Sequence, residues 1–253
     1  MKIVVCAKQV VDVSEMKVDP ATKKPILQGV PQKISDIDKN AMEEAIKIKE
    51  KHGGKITVVT IGPADAKERI KELLAMGADE GVLVSYPEKY DYHVVSCLLA
   101  GAIKKIGEYD IILCGEASID LFSGQVGPRL AGLLNIPQIT YAQSVTAEKD
   151  KVAAERNMGD KMVTTESSYP VLVTVTKEIN EPRLPSLMQI LGAANKTINE
   201  WSVDSLGGKV DPMVETVELK GIPMERKNIV YQNDLDESVN KLVDSLAKEG
   251  VLR

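Results

Sequence analysis

Short apolar runs that alternate with amphipathic segments are the feature that most constrains the fold of this chain. Strand composition occurs over residues 2–7, 55–61, 80–85 and 110–114. Apolar residues recur at helical spacing over residues 41–52, 64–75 and 93–106. Because strands that alternate with helices form right-handed βαβ units, the sequence predicts an α/β fold with a mostly parallel, doubly wound sheet.

The composition indicates an aliphatic core and a surface that does not bind nucleic acid. The 253 residues include one Phe and one Trp, so Leu, Ile, Val and Ala must supply the core, as suits helices packed on a parallel sheet. The net charge of -5 and the pI near 5.3 leave no basic surplus to neutralise phosphates. We therefore expect no nucleic-acid partner.

The cysteine and histidine content argues against a metal site or a histidine-based catalytic site. Cys6 and Cys114 lie in apolar runs, and the three cysteines show no metal-ligand spacing. Only two histidines are present. The N-terminus has strand composition rather than that of a signal peptide, and no apolar run approaches the roughly 20 residues of a membrane span. These observations predict a cytoplasmic protein without a membrane span.

Residues 109–134 form the region most typical of a phosphate site. A short apolar run ends in a polar loop, and the glycines Gly124 and Gly127 then open an amphipathic helix. Glycines let the backbone approach a ligand closely, and the first turn of a helix offers unpaired N–H groups. The pattern matches neither of the two generic nucleotide fingerprints. Taken alone, it fits a nucleotide site and a purely geometric use of glycine equally well.

The second half of the chain has a different character. Residues 152–156, 161–165 and 171–175 show strand patterns, which we interpret as antiparallel strands at one edge of the sheet. Residues 192–226 show little periodicity, which predicts either an arm that lies on a partner or a disordered linker. We accordingly predict a nucleotide-binding domain over residues 1–190 and a C-terminal arm with a helix over residues 191–253.

Several motifs occur together in one order. They comprise residues 6–9, 40–45, 62–63, 75–79, 118–120, 124–128 and 180–183. With them the chain resembles the small (β) subunit of the electron-transfer flavoproteins over essentially its full length. The resemblance implies an adenine-nucleotide α-hydrolase-like, Rossmann-like fold with an extended C-terminal arm. It also implies a heterodimer with a larger α subunit that holds most of an FAD.

The resemblance further implies an electron carrier rather than an enzyme in its own right. Such a heterodimer takes electrons from a flavin dehydrogenase or NADH and passes them to an acceptor such as a quinone oxidoreductase. The β subunit of simple family members holds AMP, and that of electron-bifurcating members holds a second FAD in the same place. Residues 121–123 lack the acidic run of many relatives, which favours the more highly charged pyrophosphate of FAD here.

Carried over by position, the resemblance identifies a set of nucleotide-binding residues. They are Cys6, Ala7, Lys8, Ser35, Asp36, Ile37, Asp38, Ile61, Asp120, Gly124, Gln125, Val126, Gly127, Pro128, Arg129, Leu130 and Asn135. The glycine amides would hold the phosphate, Gln125 and Asp120 would meet polar atoms of the ligand, and Ala7 and Ile61 would lie against the adenine. Without the resemblance, Ala7 and Ile61 fit strand core equally well, and Asp120 fits a helix cap.

Two basic residues have alternatives of the same kind. Lys8 is either a fixed charge near phosphate or flavin, or a solvated strand end. Arg129 either binds a phosphate or a partner carboxylate, or forms a surface salt bridge.

Residues 180–187 resemble the loop with which the family recognises partner dehydrogenases. Its two prolines exclude a regular helix or a central strand. Leu187 falls at the position of the leucine that enters a partner's pocket, and Arg183 and Pro185 accompany it as partner-binding residues. The alternative is a leucine folded back on its own domain.

Two other function classes share the βαβ architecture. An adenine-nucleotide-binding regulatory protein of the stress-protein type would need no long arm, so residues 180–253 argue against it. An ATP-cleaving ligase of the pyrophosphatase-loop type would need a Ser-Gly-Gly-type loop after the first strand, where this chain has Lys8-Gln-Val-Val.

Overall fold

A computed structural model describes residues 1–85, 87, 89–221, 227–232 and 234–252. The chain divides into two compact units. The larger comprises Met1–Lys17 with Ile26–Leu219, and the smaller comprises Val18–Pro25 with Lys220–Arg253. Residues 191–219 group with the larger unit by their contacts, and the predicted division into a domain and an arm after residue 190 stays a prediction.

The strands are numbered in chain order. They are β1 (Lys2–Cys6), β2 (Gln9–Val11), β3 (Lys17–Val18), β4 (Pro25–Ile26), β5 (Gln32–Ile34), β6 (Lys55–Gly62), β7 (Glu80–Ser85), β8 (Ile111–Gly115), β9 (Gln138–Ala147), β10 (Lys151–Asn157), β11 (Met162–Ser168), β12 (Val171–Val175) and β13 (Ile198–Trp201). Within the described residues, the main sheet has nine strands in the order β11-β10-β9-β12-β8-β1-β6-β7-β13. The strands from β9 to β13 in this order pair in parallel, whereas β10 and β11 are antiparallel.

The described residues form six α-helices, and those of the larger unit lie on both faces of the sheet. The six are α1 (Asp36–His52), α2 (Ala66–Met76), α3 (Tyr92–Ile106), α4 (Val126–Leu134), α5 (Leu187–Ala193) and α6 (Leu235–Lys248). Alternate residues of β1 enter opposite cores: Ile3 and Val5 pack with α1 and α2, and Val4 and Cys6 pack with α3 and α4. The predicted doubly wound, mostly parallel sheet is confirmed.

The predicted edge of the sheet was partly wrong. Val171–Val175 is a strand with the predicted bounds, but it pairs in parallel with both β8 and β9 and is fully buried. The antiparallel edge is formed by β10 and β11 next to β9, a ten-residue strand that the sequence analysis missed. The missed strand has only three buried positions, so its apolar pattern is weak.

The region after residue 192 is more ordered than its weak periodicity predicted. Ile198–Trp201 extends the sheet by pairing in parallel with β7, and a 3₁₀ turn follows at Val203–Leu206. In the smaller unit, α6 begins at Asp234, whose carboxylate accepts a hydrogen bond from the Glu237 N–H. The predicted arm residues 222–226, 233 and 253 lie outside the described residues. Among the described residues, no helix has the length and apolar composition of a membrane span.

Candidate functional site

A cavity of about 540 Å³ opens at the carboxyl end of the sheet, beside β1 and β8. The chain runs from β1 to β6 and β7 on one side and then crosses to β8 on the other side of β1. Such a reversal of strand order leaves a crevice outside the strand ends, where α/β proteins bind their ligands. The volume lies in the range of small-molecule and cofactor pockets.

The glycine-containing loop forms one side of this cavity through Ser123, Gly124, Gln125, Val126 and Gly127. The backbone of Gly124 has φ +64°, a conformation that favours glycine. Helix α4 begins at Val126 and receives no side-chain cap, because the Gln125 side chain accepts a hydrogen bond from Arg129 Nε instead. The first amides of α4 are thus available to an anion.

Gly127 is required by close packing against β12. A Cβ atom at this position would lie 2.6 Å from the Thr174 methyl group and 3.3 Å from Cys114 Sγ. The hydroxyl of the same threonine accepts a hydrogen bond from the Tyr141 N–H, at the irregular pairing between β9 and β12. Thr174 therefore fixes the start of α4 relative to two strands.

Asp38 joins the ends of β1 and β8 beneath the cavity. Its buried carboxylate accepts hydrogen bonds from the Lys8 N–H at 2.9 Å and the Gly115 N–H at 3.0 Å. Burial raises the pKa of Asp38 to about 7, although these two N–H groups oppose the shift. Gly115 has no room for a side chain, since a Cβ would lie 2.7 Å from the Asp38 carboxylate.

Lys8 lines the cavity, and its ammonium group is paired. The Lys8 Nζ donates to both Asp120 oxygens, at 2.7 and 2.9 Å, and lies 3.4 Å from Ser118 Oγ. Burial raises the pKa of Asp120, but Lys8 and Ser118 outweigh it and hold the pKa below its usual value. Asp120 is therefore an ion-pair partner here rather than the helix cap of the alternative interpretation.

The structure brings together about half of the predicted nucleotide-binding residues. Those that line the cavity are Cys6, Ala7, Lys8, Asp38, Ile61, Gly124, Gln125, Val126 and Gly127. The others support it or lie elsewhere. Ser35 is buried, with its hydroxyl accepting from the Ile119 N–H, and Asp36 pairs with Lys33. Their role in binding a nucleotide stays a prediction.

The remaining predicted positions belong to the body and ends of two helices. Ile37 packs near Gly115, and Leu130 is fully buried in the core between α4 and the sheet. Pro128 lies in the first turn of α4, and Asn135 ends the helix in the left-handed conformation with φ 53°. The Arg129 guanidinium donates to the Gln125 side chain, and its contact with a phosphate or a partner carboxylate stays a prediction.

Two further groups of residues line the cavity. One group lies at the end of β8 and in the loop after it, within the predicted phosphate region of residues 109–134; it comprises Gly115, Glu116, Ala117, Ser118 and Leu121. The sequence analysis missed the other group, which comprises Tyr90 and Asp91 just before α3, Tyr92 at the start of α3, and Val214, Thr216 and Leu219 from the long segment after β13. This second group carries no motif and depends on tertiary packing.

Two motifs that lie far apart in the sequence, residues 40–45 on α1 and residues 180–183, contact each other. We call this contact the joint on α1. The Asn40 side-chain amide donates to the backbone carbonyls of Lys177 and Asn180, and Asn180 donates in return to the Glu44 carboxylate. The Arg183 guanidinium binds the buried Glu43 and, at the surface, Glu50. Arg183 thus holds the loop in place within the chain, and its contact with a partner stays a prediction.

This joint presents an exposed apolar surface, formed by Leu184, Leu187, Met188, Ile190 and Leu191. Leu184 is 92% exposed and Leu187 is 69% exposed. Leu187 begins helix α5, which Ser186 caps with a reciprocal bond to Gln189, so the helix starts just after Pro185. The alternative in which Leu187 folds back on its own domain is wrong for this structure.

Comparison with known proteins shows the family. The electron transfer flavoprotein domain family matches residues 24–206. The β subunit of the electron transfer flavoprotein of Thermoanaerobacterium thermosaccharolyticum is 41% identical over the full length of both chains. The corresponding subunit of Clostridium acetobutylicum is 40% identical, over 90% of this chain and 86% of the relative.

A relative from Acetobacterium woodii is the CarD subunit of a caffeyl-CoA reductase-Etf complex. It is 39% identical, over 82% of this chain and 80% of its own length. The family match spans most of the larger unit, including the glycine loop and the joint on α1. This chain therefore belongs to the electron transfer flavoprotein family.

Proposed function

We propose that this chain is the small subunit of an electron carrier that works as a heterodimer with a larger α subunit. FAD, held mainly by the α subunit, supplies the redox chemistry when it is bound. Electrons come from a flavin dehydrogenase or NADH and leave to a downstream acceptor. This proposal rests on the 41% identity with a named β subunit over the full length of both chains, together with a cavity at the point where the strand order reverses.

The cavity fits the adenine nucleotide that this function implies. One end offers the uncapped amides of α4 and the close-packed Gly127, which suit a phosphate. The walls near β1 and β6 are apolar, with Ala7 and Ile61 buried. We infer that the phosphate lies at α4 and the adenine against these strand ends.

The charges of the cavity orient such a ligand. Asp38, Asp91 and Glu116 line it, and burial raises the pKa of Glu116, with Glu178 adding to the shift. Lys8 is held by Asp120. Because carboxylates repel phosphate and accept hydrogen bonds from hydroxyl groups, they favour ribose or ribityl hydroxyls at their end of the cavity and phosphate at the α4 end.

We infer that the residues lining the cavity bind and orient the nucleotide, and that they exclude water from the ends of the strands. AMP and a second FAD share the adenosine and phosphate groups that the cavity fits. AMP would make the chain a subunit of a simple carrier with a structural nucleotide. A second FAD would place a redox centre here and support electron bifurcation.

The experiment that tests this proposal is a nucleotide inventory. The chain is co-purified with its large subunit, the bound nucleotides are released with acid, and FAD and AMP are quantified per heterodimer. One FAD with one AMP supports a simple carrier, and two FAD without AMP support a bifurcating one. A heterodimer with no nucleotide, or failure to form a heterodimer, would contradict the proposal.

The apolar surface around Leu187 is the proposed contact with a dehydrogenase. The name of the Acetobacterium woodii relative places that protein in a complex with a CoA-ester reductase, which supports a flavin dehydrogenase as the partner class. Burying one exposed leucine contributes about 1.5–3 kcal/mol, which suits a transient complex. The bonds of Arg183 to Glu43 hold this surface against α1, so the surface is already exposed in the absence of a partner.

The substitution Leu187→Ala tests this contact. We expect slower electron transfer from a cognate dehydrogenase with unchanged nucleotide content. Leu27→Ala is the matched control, because Leu27 is 49% exposed and lies away from the α5 surface in sequence and in contacts. Equal rates for the two variants would remove Leu187 from the proposed role.

A further inference from the structure

Asp91 makes an unusual set of contacts at the mouth of the cavity. One carboxylate oxygen accepts a hydrogen bond from the Val94 N–H at 2.8 Å and so caps α3. The other oxygen accepts from two successive backbone groups, the Met213 N–H at 2.8 Å and the Val214 N–H at 3.1 Å. Burial raises the pKa of Asp91, but these N–H groups outweigh it and hold the pKa below its usual value.

The two amides belong to a segment that forms part of the cavity. Residues 213–219 have no regular secondary structure, and Val214, Thr216 and Leu219 line the cavity. Val217 points away and is 96% exposed. A segment without regular secondary structure that lines a cavity needs other contacts to keep its position, because it has no strand partner among the described residues.

The chain before this segment is held by packing. Trp201, Val203, Leu206 and Val210 pack against the core that contains α3 and α4. After Val210, Asp91 supplies the described hydrogen bonds to the segment. A helix cap alone needs one acceptor, so the second oxygen of Asp91 is used to hold the segment.

We propose that Asp91 is the positioning residue that keeps residues 213–219 across the mouth of the nucleotide cavity and thereby slows exchange of its contents. The assignment of the contents to a nucleotide rests on the proposed function, whereas the closure itself rests only on these contacts. When the contacts to the 213 and 214 amides are lost, the cavity opens on this side.

The floor of the cavity contains a reporter that can be read in the heterodimer after its nucleotides have been removed. Cys6 and Cys114 are buried neighbours on β1 and β8, and both line the cavity. Cys97 on α3 is partly exposed and does not line it. Burial raises the pKa of both thiols, so we expect them to react slowly with iodoacetamide while the cavity is closed and faster once water and reagent enter it. Cys97 serves as an internal reference.

The test uses the heterodimer with Asp91→Ser or Val214→Pro. Serine keeps an oxygen that caps α3, but it lacks the second oxygen that binds the segment. Proline at position 214 removes one donor and leaves Asp91 unchanged. Asp234→Ser is the matched control, because Asp234 caps α6 in the same way and has no described bond to residues 213–219.

Alkylation is followed by mass spectrometry of the cysteine peptides, and release of radiolabelled AMP is measured in parallel. We expect alkylation of Cys6 and Cys114 to rise about tenfold in both variants, as fits the loss of one or two hydrogen bonds to a charged acceptor. Cys97 and the Asp234→Ser control should keep their rates. AMP should leave the variants faster than the wild-type protein.

The outcomes separate the two proposals. Unchanged alkylation of Cys6 and Cys114 in both variants would overturn the role of Asp91, even if AMP binds. Faster alkylation in a heterodimer that binds neither AMP nor FAD would support the role of Asp91 and contradict the nucleotide assignment. Equal acceleration by Asp234→Ser would show general loosening and would also overturn the role of Asp91.

Discussion

Helix α1 carries buried carboxylates in two regions, and different groups bind them in the two regions. In the middle of the helix, the Glu43 side chain is 5% exposed and is bound by the Arg183 guanidinium. At the first turn, Asp38 is equally buried but is bound by two backbone N–H groups and faces the cavity. A carboxylate paired with a cation forms a structural joint. A carboxylate held only by amides beside a cavity keeps a raised pKa and responds to its surroundings.

The largest expected effect comes from breaking the joint. Arg183→Met leaves Glu43 buried without its cation, which we expect to lower the free energy of unfolding by about 3 kcal/mol. Chemical denaturation of the full chain measures it. Lys67→Met, which removes an exposed pair with Glu200, is the control and should cost about 1 kcal/mol or less. Equal losses in the two variants would show that the joint is no stronger than a surface pair.

Asp38, in the first turn of α1, should change how the free energy of unfolding depends on pH. Because the pKa of Asp38 is raised from 3.8 to about 7, the folded state binds more protons than the unfolded state between these values. The stability of the wild-type protein therefore falls as the pH rises through this window, by at most about 1.4 kcal/mol per pH unit. Asp38→Asn removes this dependence.

The comparison is made by denaturation at several pH values. The difference in unfolding free energy between wild type and Asp38→Asn should decrease from about pH 4 to about pH 7, whatever its absolute size. Asp79→Asn is a useful reference, since Lys49 and the Ile56 N–H outweigh burial and lower the pKa of Asp79. Parallel curves for wild type and Asp38→Asn would show that Asp38 has an ordinary pKa.

The glycine loop offers a third test, of the packing that supports the cavity. Gly127→Ala places a Cβ 2.6 Å from the Thr174 methyl group, so we expect a loss of about 1–3 kcal/mol and a displaced start of α4. Gly132→Ala in the same helix meets nothing within 4 Å and should stabilise the protein by up to about 1 kcal/mol. Thr174→Ser should restore part of the loss in Gly127→Ala. Two variants of equal stability would mean that α4 has room at its start.

The sequence predicted the parts of the fold that depend on local patterns. The alternating strands and helices around β1, β6 and β7 were predicted within about five residues, because the apolar runs of the strands are continuous and glycines end β6, α1 and α2. The position of β12 was not, because a short, mostly apolar strand is compatible with an interior or an edge position until its neighbours are known. Strand β13 was missed altogether, because the mixed composition of this edge strand gives no strand pattern.

The site was predicted where residues directly follow parallel strands. Lys8 and the glycine loop follow β1 and β8, and they converge as expected. The pairing of Lys8 with Asp120, 112 residues away, and of Arg183 with Glu43 depends on tertiary distances that no spacing in the sequence encodes. Asp91 carried no sequence signal at all, because its role needs both the cap of α3 and a segment more than a hundred residues later.

The ion pair between Lys8 and Asp120 shares a feature with each of the two carboxylates on α1. Like Glu43 with Arg183 it is a charged pair, and like Asp38 it faces the cavity. Asp120→Asn frees the Lys8 ammonium, so we expect the heterodimer to bind AMP about two- to fivefold more tightly, the size of a partly exposed charge contact. Lys8→Met should weaken the binding of AMP by a similar factor.

Adenosine, which lacks the phosphate, should bind equally to wild type and both variants. Calorimetry measures the affinity of each of the three proteins for both ligands. A change of equal size for adenosine and AMP would mean that the substitutions act on the shape of the cavity and not on the phosphate. In that case Lys8 and Asp120 would form a structural joint like that of Arg183, and the contrast between the two regions would be confined to Asp38.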